Sequence, residues 1–228
     1  MNHPLSKLGL ICAAALCMSV AQAAPVLTLV PQTTHVYSLQ NLRLDVVVSG
    51  LHSGGTDVLL SAFDLTLSYD ASVFQFLQIG SSLGTALGDP NDTNQTAVFA
   101  NTGEPGVLRF FELSLLEESS SVCTFCIGPY LADLQPSDSF KLASLLFYRP
   151  AHGPNTLTTA KFGVESVQLS DGGGQFIGRV GTQDATVDLP EPASLALVGL
   201  GLWALNWNRR GRRTGRPSGS FVFGKESS

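Results

Sequence analysis

Tryptophan, cysteine and positive charge are scarce through the middle of this 228-residue chain, and each scarcity excludes something. Both tryptophans, Trp203 and Trp207, lie near the C-terminus, which counts against a tryptophan platform for stacking sugar rings between residues 25 and 190. Of the four cysteines, Cys12 and Cys17 sit in an N-terminal apolar run, leaving Cys123 and Cys126 for the body. One such pair makes neither a disulfide framework nor a four-ligand zinc site. From Pro25 to Pro190 six Lys and Arg stand against sixteen Asp and Glu, a balance of −10. A body of that sign repels phosphate and argues against nucleic acid as a partner. No segment of the body carries a helical stripe of useful length, and no internal repeat is present, which turns the reading away from an α/β fold.

What is present begins with an export signal. Lys7 supplies a positive start, and Leu8 to Val20 an apolar run too short to span a bilayer comfortably. Ala21-Gln22-Ala23 follows as a small-x-small cleavage site, so residues 1–23 read as a secretory signal peptide with Ala21 and Ala23 framing the cut.

The body is strand after strand. In SAFDLTLSYD (61–70), Phe63, Leu65, Leu67 and Tyr69 take one face, and Asp64, Thr66, Ser68 and Asp70 the other. That period of two describes a strand with one buried face. Leu42 to Val48 alternates in the same way. Further strands are expected over 73–79, 96–100, 106–116, 140–148 and 164–170, with 175–177 and 185–189 completing the set. Gly, Pro, Asn and Asp clusters such as GDPNDTN and SDGGG separate them. The expectation is an all-β, antiparallel sandwich of about nine strands spanning residues 25–189.

Three motifs raise the question of chemistry. Gly80-Ser81-Ser82-Leu83-Gly84 fits G-x-S-x-G, but a nucleophile elbow needs a helix immediately afterwards, and TALGDPNDTN is full of helix breakers. His35, His52 and His152 lie in turn-like stretches with no evident acid partner, so a flexible loop is the better reading of 80–84 than a hydrolase. Cys123-Thr124-Phe125-Cys126 lacks the βαβ setting that acidifies a redox thiol, and Ile127 stands where covalent haem attachment needs His. A local disulfide pinning a loop is expected there. Asp89, Asn91, Asp92 and Asn94 collect oxygen ligands in one loop, as calcium sites do, but without EF-hand spacing. Ordinary turn residues explain them as well, so no cofactor is expected, with calcium the one candidate.

SAFDLTLSYDASVFQFLQIGSS (61–82) resembles the early part of bacterial cohesin domains, and SFKLASLLFYRPAHGPNTLTTAKFGVESVQLSDGGGQFI (139–177) the later part. The resemblance covers roughly residues 26–189 and implies a nine-stranded jelly-roll sandwich, related in fold to some carbohydrate-binding modules. The best-known cohesins bind dockerin modules in polysaccharide-degrading assemblies. Glu117 to Asp138 looks like an insertion in that pattern.

The C-terminal stretch resembles the PEP-CTERM sorting signal of Gram-negative bacteria. Pro190-Glu191-Pro192 comes first, then the apolar Ala193 to Trp207, then Arg209, Arg210, Arg212 and Arg213. A helix from Pro192 to Asn208 would run about 25 Å, a little short of a roughly 30 Å hydrocarbon core. Interfacial tryptophans and snorkelling arginines make up the difference. The arginines hold the cytoplasmic side and leave the body outside. The organisation is then signal peptide (1–23), sandwich (25–189), sorting signal with a single transmembrane helix (190–213) and a basic, polar tail (214–228). The resemblance implies an exosortase-like processing protease as a partner, transient anchoring in the inner membrane, and delivery to the cell surface or exopolysaccharide matrix. The expected role is non-enzymatic binding of polysaccharide or of a surface protein, with a dockerin-type scaffold interaction as the alternative.

Overall fold

The alternation of SAFDLTLSYD is realised in the computed structural model, which describes residues 24–52, 58–121, 127–151 and 157–190 together with Leu200 and Trp203. Phe63, Leu65 and Leu67 are buried, while Asp64, Thr66 and Ser68 stand partly exposed on the opposite side. Ten strands form: β1 (Val26–Pro31), β2 (Gln40–Ser49), β3 (Leu60–Tyr69), β4 (Gln75–Leu83), β5 (Thr96–Asn101), β6 (Val107–Ser114), β7 (Ser139–Arg149), β8 (Thr159–Asp171), β9 (Gly181–Gln183) and β10 (Ala185–Asp188). They make two five-stranded sheets, ordered β4-β7-β2-β1-β9 and β10-β8-β3-β6-β5. The inward residues of both sheets merge into one apolar core, which is the definition of a sandwich. Phe147 sits among four other rings at centroid distances of 4.9 Å (Phe162), 5.2 Å (Tyr69), 5.7 Å (Phe76) and 6.3 Å (Phe74). These tilted and edge-on contacts suit the quadrupoles of aromatic rings.

Several expectations need correction. Among the described residues the strands number ten where about nine are expected, and the sandwich is not wholly antiparallel: β1 and β9 pair in parallel, Val26 opposite Gly181. Residues 175–177 form no strand; they fold back on β8 through a turn in which Gly174 N–H donates to the Asp171 carbonyl at 2.9 Å. Gly80 to Leu83 is not a loop but the second half of β4. Three extra residues bulge out there, since Leu77 pairs with Leu146 and Ser82 with Ser144.

The stretch read as an insertion packs closely against the sandwich. A single turn of helix, α1 (Leu131–Leu134), is held by Leu131 N–H and Ala132 N–H donating to the carbonyls of Glu117 and Glu118, both at 3.0 Å. Behind it the buried Gln135 amide donates to the carbonyls of Leu60 (2.7 Å) and Ala86 (3.0 Å) and accepts from Leu60 N–H (2.9 Å). Contacts divide the chain into one compact unit through Leu189 and a second from Pro190 onward. Among the described residues no helix is long and apolar enough to cross a membrane. The expected signal peptide, and all of the expected membrane segment but Leu200 and Trp203, lie outside the described residues.

Candidate binding surface

The outer faces of the two sheets differ in chemistry. On the face of β2 and β7, polar groups satisfy one another. The Ser144 hydroxyl donates to Asp45 at 2.6 Å and accepts from the Arg43 guanidinium at 3.1 Å, while the Lys141 ammonium lies 3.7 Å from Asp45.

The face built by β8, β3, β6 and β5 carries an apolar patch with a charged neighbour. Antiparallel register sets Phe99 opposite Phe111 and Phe111 opposite Asp64, with Ala97, Leu113 and Ala62 in the next row. Such opposed side chains lie close enough to form a continuous surface. Phe99 is 55% exposed, although a phenylalanine normally seeks cover. Beside it the Arg109 guanidinium grips Asp64 with two nitrogens, Nε at 3.0 Å, and this pairing raises the guanidinium's pKa. At the far side of the sheet the Lys161 ammonium meets Asp184 at 2.7 Å, which lowers the Asp184 pKa.

The residues singled out for chemistry are occupied structurally. The Ser81 hydroxyl donates to the Leu77 carbonyl at 2.6 Å and accepts from Leu146 N–H at 2.8 Å, so it pins the β4 bulge. His35 does meet an acid, Asp188, at 3.4 Å, contrary to expectation, but both side chains are more than half exposed. His152 lies outside the described residues.

In the Asp89–Asn94 loop each aspartate caps its own turn. Asp89 accepts from the Asn91 backbone and side-chain amides at 2.9 and 3.1 Å, and Asp92 likewise from Asn94 at 2.9 and 3.0 Å. The Asn94 backbone bond is the main reason the Asp92 carboxyl stays acidic. Among the described residues no cluster of three or more His, Cys, Asp or Glu side chains is placed to hold a metal. Cys123, Cys126, Ala21, Ala23, Glu191, Pro192, Arg209, Arg210, Arg212 and Arg213 lie outside the described residues; of the sorting triplet, Pro190 is described and half-buried.

Sequence reading missed Glu112. It is 1% exposed, no partner reaches its Oε1, and burial pushes its carboxyl up to about 8. The pattern holds a signal: in LRFFELS, Glu112 keeps step with the buried Leu108, Phe110 and Ser114.

This two-sheet architecture defines a class, the cohesin-like sandwich. Among solved structures, the chain is similar to the sixth cohesin of scaffoldin B from Acetivibrio cellulolyticus, solved in complex with a Cel5 dockerin mutant. That match has 16% identity, a TM-score of 0.53, and covers 74% of this chain and 100% of the other. A type II cohesin domain from the cellulosome of the same organism has 16% identity and a TM-score of 0.52, covering 72% and 95%. A cohesin from a type II cohesin–X–dockerin complex, again from Acetivibrio cellulolyticus, has 15% identity and a TM-score of 0.51, covering 73% and 99%. No curated protein matches the chain. Residues 188–213 match the PEP-CTERM protein-sorting motif, so this chain joins a cohesin-like sandwich to a PEP-CTERM sorting segment.

Proposed function

We propose that this chain is an exported, non-catalytic interaction module of the cell surface or exopolysaccharide matrix, docking a protein partner on its β8-β3-β6-β5 face. The observation that carries the reading is the patch of Phe99, Phe111 and Leu113 beside the Asp64–Arg109 pair. A flat sheet offers area, exposed rings offer anchors, and a fixed charge pair at the margin offers orientation. The similar cohesins solved as complexes with dockerins support a protein partner, and a dockerin-type scaffold interaction is the specific form of this reading. The sorting motif at 188–213 supports transient anchoring in the inner membrane and processing by an exosortase-like protease near Pro190-Glu191-Pro192.

Two experiments test it. Proteins captured on the full-length chain from the producing organism's matrix are purified and titrated directly. Phe99→Ala should weaken a genuine partner about tenfold or more, and undiminished affinity would remove this face from the proposal. Mass spectrometry of matrix-associated protein should find a C-terminus close to Pro190, whereas chains still ending at Ser228 would dismiss the processing step.

A further inference from the structure

The two sheets do not close along one side. β4 ends one sheet and β5 the other, each paired on a single flank, to β7 and β6 respectively. Two adjoining cavities, of about 510 and 320 Å³, lie along this side. Among the described residues Phe76, Gln78 and Thr102 line both, so the two form one groove. Both volumes fall within the range of small-molecule sites, about 300–1,000 Å³.

The lining has a distinct chemistry. Among the described residues none that lines it is charged, in a body whose balance is −10. The rings of Tyr69 and Phe76 border it, and both are partly exposed. Gln75, Gln78, Ser82 and Thr102 face it with amide and hydroxyl groups that form no side-chain hydrogen bond among the described residues. Unspent amides and hydroxyls beside ring faces, with no charge, match one ligand chemistry: a neutral polyhydroxylated ring, apolar on its C–H face and hydrogen-bonding around its rim.

We infer that the groove between β4 and β5 is a binding site for a neutral oligosaccharide. An extended peptide suits it less well, because strand addition needs an unbroken row of edge amides and carbonyls. The bulge between Leu77 and Ser82 interrupts that row on β4. This site is separate from the protein-docking face, and neither reading depends on the other.

The test uses the full-length chain in a sugar-free zwitterionic detergent. It is titrated by calorimetry with cellohexaose, xylohexaose and mannohexaose, and with an alginate hexamer as the anionic counterpart. At least one neutral hexamer should bind, with affinity unchanged by about 0.5 M sodium chloride, since screening touches only charge. The double variant Gln78→Ala, Thr102→Val should weaken that binding about tenfold or more at an unaltered melting temperature. Phe99→Ala, on the docking face, should leave it unchanged. The inference fails if no neutral hexamer binds at millimolar concentration, if alginate binds as well, or if Phe99→Ala abolishes binding. Displacement of the glycan by an extended Thr-Val repeat peptide would equally overturn it.

Discussion

At the scale of single residues, Glu112 is the most consequential side chain that the surface does not show. Its folded pKa of about 8 lies above the ordinary 4.5, so the folded chain holds this proton more tightly than the unfolded chain. Below about pH 4.5 both states are protonated and the group contributes nothing. As pH rises towards 8 the unfolded state alone releases its proton, and stability falls; above 8 the loss is complete. Glu112→Gln keeps the shape and removes the titration. Denaturant melts should show the variant gaining a few kcal/mol at pH 8 and almost nothing at pH 4, so parallel curves for the two proteins would refute the assignment. The core makes a second prediction. Leu65 is fully buried, so Leu65→Ala should cost about 2–5 kcal/mol, and Thr66→Ala less than half of that. Equal losses would mean that the register of β3 is wrong.

Individual elements divide into those the pattern announced and those only the fold explains. β2, β6 and β3 from Phe63 onward are legible because each buries one face, and hydrophobic alternation is the mark of that condition. β1 was missed because its outward side chains Val26 and Val30 are as apolar as its inward Leu27 and Leu29. β9 has three residues, too few to show any period, and exists because β1 offers it a parallel partner. In the sequence Gly80-Ser81-Ser82 looks like loop punctuation, yet the β4 bulge needs Gly80 chiefly for its left-handed backbone. Gly80 has φ +93°, and a Cβ at that position would come within 2.8 Å of the Leu146 side chain. The docking patch was half legible: Phe99 and Phe111 stood in recognised strands, but only register makes them neighbours. Gln135 was invisible, since nothing local distinguishes an amide that ties α1's trailing end to β3 and to the Ala86 loop. Gln135→Ala leaves the Leu60 amide and two carbonyls without this partner and should cost about 1–3 kcal/mol. Hydrogen exchange should show the loss as faster opening at Leu60 first, and uniform acceleration across the sandwich would contradict a local clamp.

For the whole molecule, what matters is where the chain's first strand meets its last but one. β1 lies between β2 and β9, and the Gly181 amide donates to the Pro25 carbonyl at 2.8 Å. During synthesis β1 therefore waits for a neighbour that emerges more than 150 residues later, and such distant pairings form slowly. A chain stopped at Val180 should lack a finished edge on both sheets, and limited proteolysis should digest it far faster than the full chain. Equal resistance would show that β9 and β10 are dispensable. The last closing strand ends at Asp188, two residues before Pro190, inside the stretch that matches the sorting motif. The fold is thus complete while about twenty-five residues of the matched stretch, ending at residue 213, are still to be translated. A chain terminated before β10 would lose both together, so a fragment with an unfinished sandwich would carry no sorting segment either.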